Sequence, residues 1–74
     1  MSTSTTREQK AVALAATTRR LRRTATQVGY DVTDVIYDGT WHVETPAGPL
    51  DVIDRHGALI YDERLPRVYG FLPA

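Results

Sequence analysis

The sequence predicts an α+β fold: one long N-terminal helix packed on a four-stranded antiparallel β-meander, with an aromatic C-terminal tail. Three observations lead there. An apolar stripe at helical spacing runs up to Gly29, and β-rich runs of four to six residues parted by turn residues follow it. The chain, at 74 residues, has room for one domain only. We divide it into a flexible lead at 1–5, a helix at 6–28, the meander at 33–62 and the tail at 63–74.

The helix is predicted from both ends inward. Thr5-Thr6-Arg7-Glu8 fits a capping box, in which Thr5 and Glu8 satisfy each other's backbone amides. Gly29 stands where a left-handed residue closes a helix. Between them Ala11, Leu14, Thr18, Leu21, Ala25 and Val28 recur at alternating spacings of three and four, one stripe broken by a single threonine. A helix of that length outruns strands of about 17–20 Å. Its first half, with Ala11, Ala13, Ala15 and Ala16, should therefore overhang the sheet and offer small residues to another helix.

The strands follow from their turns. Val35-Ile36-Tyr37 and Thr40–Thr45 flank Asp38-Gly39, read as a two-residue hairpin loop. Pro46-Ala47-Gly48-Pro49 makes the second connection. Leu50–Asp54 and Ala58–Asp62 flank Arg55-His56-Gly57, a three-residue loop. The tail from Leu65 to Ala74 holds prolines at 66 and 73 and reads as coil or a short edge segment.

These loops imply a register, and the register sorts side chains onto faces. Tyr37 pairs with Thr40, Ile36 with Trp41, Val43 with Val52 and Val52 with Ile60. Ile36, Trp41, Val43, Leu50, Val52, Ala58 and Ile60 then share the face beneath the helix. The second face would show Val35, Tyr37, His42, Ile53, Leu59 and Tyr61, too apolar to stand in water. Either the tail, through Leu65, Val68, Tyr69, Phe71 and Leu72, covers it, or another chain does.

Charge is segregated along the chain. Residues 1–30 carry six basic side chains against Glu8 alone, a balance of +5, and residues 31–74 carry eight acids against Arg55, Arg64 and Arg67, a balance of −5. The net charge of zero hides two opposite local fields. Arg19, Arg20, Arg22 and Arg23 form the densest cluster. Four guanidinium groups in about 6 Å of helix rise suit phosphate contact, but pairing with the acidic strands is the first explanation.

Other chemistry is thinly represented. The chain has no cysteine, so disulfides and thiolate metal sites are excluded. His42, Glu44, Asp51 and Tyr61 share one predicted face but match no metal-ligand spacing, and such residues commonly form cross-strand polar pairs. No phosphate-cradling glycine pattern or nucleophile elbow occurs. We expect no enzyme, no cofactor and no metal. The polar start and the absence of a long apolar run suggest no secretory signal and no membrane span, hence a cytoplasmic protein.

The segment Asp51-Val52-Ile53-Asp54-Arg55-His56-Gly57-Ala58-Leu59-Ile60-Tyr61 resembles the last hairpin of PepSY-like modules and of some gas-vesicle accessory proteins. The resemblance covers that hairpin alone and implies a strand–loop–strand there; it carries no function across.

The functional expectation is a small regulatory or adaptor protein acting by protein–protein contact or self-association, as a homodimer for instance. Its binding residues would be Val35, Tyr37, His42, Ile53, Leu59, Tyr61 and Phe71, helped by the overhanging helix. The alternative is nucleic-acid binding through Arg19, Arg20, Arg22 and Arg23.

Overall fold

A computed structural model describes the backbone of residues 2–74 and the side chains of residues 14–74. Helix α1 spans Ser2–Val28, and the strands are β1 (Asp34–Tyr37), β2 (Trp41–Thr45), β3 (Gly48–Ile53) and β4 (Gly70–Pro73). The strands form one antiparallel sheet in chain order. The α+β architecture is as the sequence predicts. The capping box at Thr5 and Glu8, the flexible lead at 1–5 and the small residues Ala11 and Ala13 fall outside the described side chains. Ala15 and Ala16 are exposed.

The helix ends at the expected glycine. Gly29 has φ +115°, its N–H donates to Thr26 O, and the Tyr30 N–H donates to Ala25 O. That pair of bonds is a Schellman closure. Leu14, Leu21 and Ala25 face the sheet as predicted, but Thr17 is buried instead of Thr18, and Val28 is 63% exposed. Val28 leaves the stripe because the chain reverses at Gly29, and Tyr30 and Val32 pack against the core in its place.

The first hairpin corrects the predicted register. Tyr37 pairs with Trp41, Ile36 with His42 and Val35 with Val43, so Asp38-Gly39-Thr40 is a three-residue loop. Asp38 sets it, since its carboxylate accepts from the Thr40 N–H and hydroxyl, both at 3.3 Å. One extra loop residue turns β1 over. Val35 and Tyr37 therefore pack against the core beneath the helix, and Ile36 moves to the outer face. The second hairpin is also offset, with Thr45 opposite Gly48 and Val43 opposite Leu50. A shift of two residues leaves the faces unchanged, and Val43, Leu50 and Val52 are all buried.

The fourth strand comes from the tail. Leu50, Asp51, Val52 and Ile53 pair with Pro73, Leu72, Phe71 and Gly70. The predicted strand Ala58–Asp62 begins in its expected register, with Asp54 N–H donating to Ala58 O and a bridge between Ile53 and Leu59. It then lies against the other edge of β3, beyond the end of β2, where the Ile60 N–H donates to Val52 O and Ile60 O accepts from the Trp41 N–H. Ile60 is buried as a wedge between the ends of β2 and β3. The hairpin implied by the PepSY-like resemblance is therefore only its tip.

Residues 60–65 form a strap fastened by its carbonyls. Ile60 O takes the Trp41 N–H, Tyr61 O takes the Tyr37 hydroxyl at 2.6 Å, and Asp62 O takes Trp41 Nε1 at 2.9 Å. Arg20 Nη2 donates to the carbonyls of Arg64 and Leu65. These bonds answer, for an irregular segment, the demand that buried backbone groups be paired. Leu65 is 3% exposed and has φ +58°, a left-handed conformation rare for leucine. Burial of its side chain and the Arg20 contact hold it there. Trp41, Val43, Val52 and Leu21 are fully enclosed between helix, sheet and strap.

Candidate functional site: the outer face of the sheet

The register places Ile36, His42, Asp51 and Leu72 in one row across all four strands, on the side away from the helix. Asp34, Glu44 and Pro49 form the neighbouring row, and Ile53 lies on the same side. Ile53 bridges to Leu59, which is 38% exposed, and Tyr61 beyond it is 70% exposed. The apolar residues of the tail do not cover this side: Leu65, Tyr69 and Phe71 pack on the core, Val68 is exposed, and Leu72 belongs to the face itself as part of β4.

Of the predicted binding residues, the structure keeps His42, Ile53 and Leu59 on this side, and Tyr61 is exposed two residues past the bridge. Val35 and Tyr37 are withdrawn by the slipped register. Phe71 is withdrawn as well: paired with Val52, it packs on the helix side, 5.5 Å from the Tyr30 ring and 5.9 Å from the Tyr69 ring. Ile36 and Leu72 were missed. A two-residue reading of Asp38-Gly39 hid the first. The second is hidden by Pro73, which reads against a strand although an edge strand tolerates it.

His42 is the polar centre. Its Nδ1 lies 2.9 Å from Asp51 Oδ1, and its Nε2 lies 2.8 Å from Thr40 Oγ1 and 3.1 Å from Asp38 Oδ1. A neutral ring fits by donating from Nδ1 to Asp51 and taking the single Thr40 hydroxyl proton at Nε2 in place of Asp38; an imidazolium would donate to both carboxylates and leave that proton to Asp38. Hydrogen bonding from the Thr40 backbone, with help from His42, holds the Asp38 carboxyl below the usual carboxylate range. Glu44, expected on the same face, lies in the next row opposite Pro49, and His42 pairs with Asp51 and Asp38. Among the described residues no group of three or more His, Asp or Glu side chains is arranged to hold a metal ion.

The charge segregation becomes a polarity between layers. Asp34, Asp38, Glu44 and Asp51 surround the outer face with His42 as their one basic neighbour in the register. Arg19, Arg22 and Arg23 are exposed on the helix and carry no ion pair among the described residues. Pairing between the arginines and the acidic strands, the first explanation from the sequence, is not what the fold does with these three. Arg20 alone is used internally, and on backbone carbonyls.

No described helix is long and apolar enough to cross a membrane. Comparison with protein-family models, curated proteins and solved structures finds no match.

Proposed function

We propose that the chain is a non-enzymatic protein-binding module, a small regulatory or adaptor protein that docks a partner on the outer face of its sheet. One observation carries this reading: the end of the aromatic tail lengthens the sheet as β4, and no described residue lies over the second face. Ile36, Ile53, Leu59 and Leu72 supply the apolar ground, and Tyr61 is an amphipathic anchor of the kind enriched at interfaces.

Charge narrows the partner. Face-to-face pairing of two copies would bring together two faces that each carry Asp34, Glu44 and Asp51, and like charges so gathered repel. A partner with an apolar centre and a basic rim is complementary. A second copy qualifies only through a different surface, such as its arginine-bearing helix.

The test is a photo-crosslinking side chain placed at Leu72, with a control at exposed Asp31, outside both helix and sheet, in cells that make the protein. A single discrete adduct from position 72 and none from position 31 is expected, and its mass tells a second copy from a foreign chain. No adduct from position 72, or equal adducts from both, would overturn the proposal.

A second reading, contact with a nucleic-acid backbone, is favoured by Arg19, Arg22 and Arg23, which are exposed and have no ion pair among the described residues. Three phosphate contacts give a log–log salt slope of about −2.7, or about a 40-fold loss of affinity from 50 to 200 mM salt. A flat salt response, or retention unchanged in an Arg19→Ala/Arg23→Ala double variant, would remove this reading.

A further inference from the structure

On the helix side of the molecule, Arg20, Thr24, Arg67 and Tyr69 line a groove of about 420 Å³ between α1 and the segment before β4. Its volume falls within the range of small-molecule sites, about 300–1,000 Å³. Among the described residues no carboxylate lines it. Arg20 is held in place because its Nη2 donates to the Arg64 and Leu65 carbonyls. A guanidinium has five N–H donors, so those on Nε and Nη1 remain, with no acceptor among the described residues. Arg67 is exposed and has no ion pair among the described residues. Thr24 adds a hydroxyl, and Tyr69 adds a ring set edge-on against Phe71 at 5.9 Å. A neighbouring hollow shares Arg67 and adds Arg55 and His56, offset by Asp54.

We propose that this groove is a binding site for the phosphoryl group of a small phosphate ester. Arg20 supplies a pre-oriented guanidinium, Arg67 a second one that closes on the anion, and Thr24 a neutral donor. Two guanidinium groups match a doubly charged tetrahedral anion with several acceptor oxygens better than a carboxylate, and charge-assisted bonds of this kind are the strong ones. Tyr69 gives the organic part an aromatic surface. This site is separate from the outer sheet face and does not depend on the reading given to that face.

The experiment is an amide chemical-shift titration of the full chain with inorganic phosphate, adenosine 5′-monophosphate, adenosine and a single-stranded oligonucleotide. Saturable shifts at Thr24, Arg67, Val68 and Tyr69 are expected with phosphate and the monophosphate and not with adenosine. Tighter binding of the monophosphate than of phosphate identifies the ester as the source; equal binding identifies free phosphate. Arg67→Ala, at an exposed position, should weaken binding at least about tenfold and leave shifts elsewhere unchanged. The proposal is overturned if no saturable shift occurs up to about 10 mM, or if Arg67→Ala binds as well as the parent. It is equally overturned if the oligonucleotide alone binds, with shifts centred on Arg19, Arg22 and Arg23.

Discussion

Replacing Arg20 by methionine separates its structural use from the exposed arginines around it. The side chain keeps much of its length and apolar stem, but the two carbonyls of Arg64 and Leu65 lose their donor. A hydrogen bond to a charged group contributes about 1.5–3 kcal/mol. The Arg64 carbonyl is exposed, so water replaces most of its share; the Leu65 contact is part-buried and recovers less. The expected loss is about 2–3 kcal/mol, which lowers Tm by roughly 10–20 °C in a domain of this size. Leu65 makes the effect larger, because its left-handed backbone is held only while its side chain and carbonyl are anchored. Urea denaturation followed by the fluorescence of buried Trp41 reads the loss directly. Arg23→Met, on the exposed side of the helix, should stay within about 0.5 kcal/mol of the parent. If Arg20→Met unfolds no more easily than Arg23→Met, the strap is not secured as described.

The strap's other fastening is tested by Tyr37→Phe, which removes the bond to Tyr61 O and should cost about 1 kcal/mol in the same assay. Gly29→Ala places a side chain at φ +115° and should cost about 1–2 kcal/mol, with fraying of the last helical turn visible by circular dichroism. Leu21→Ala should cost about 2–5 kcal/mol, whereas Leu72→Glu on the open face should leave the urea midpoint nearly unchanged. The carboxyls of Asp38 and Asp54 both lie below the usual range in the folded chain. Backbone donors are the main cause, Thr40 for Asp38, and Ala58 then His56 for Asp54. A group whose pKa falls on folding stabilises the fold above its unfolded value and loses that contribution as pH drops through the folded one. Tm should therefore decline below about pH 4, and an Asp38→Asn/Asp54→Asn variant should show a shallower decline.

The parts legible in the sequence are those written in local chemistry. Gly29 announced the end of the helix because only a residue tolerant of positive φ closes it that way. Val43, Leu50 and Val52 were placed correctly although the loop between them is shorter than predicted, since an even shift leaves the faces alone. Ile36, Val35 and Tyr37 were misplaced by one residue, because the Asp38 side chain draws Thr40 into the turn and odd shifts invert a strand. The identity of the fourth strand was a tertiary matter. Ala58–Asp62 and Gly70–Pro73 compete for β3, and the buried wedge of Ile60 sends the first to the end of β2 and leaves the free edge to the second. The arginines followed the same division. Their sequence cluster is plain, yet nothing local says that Arg20 turns to a distant strap and its three neighbours do not.

The open face exists only if Ile36, His42, Asp51 and Leu72 lie in one row, and nuclear Overhauser contacts across the strands test that register most directly. The register predicts contacts of Ile36 with His42, Asp51 with Leu72 and Val52 with Phe71, together with slow amide exchange within β4. Contacts of Ile36 with Trp41, or rapid exchange throughout residues 70–73, would contradict the register and the open face with it.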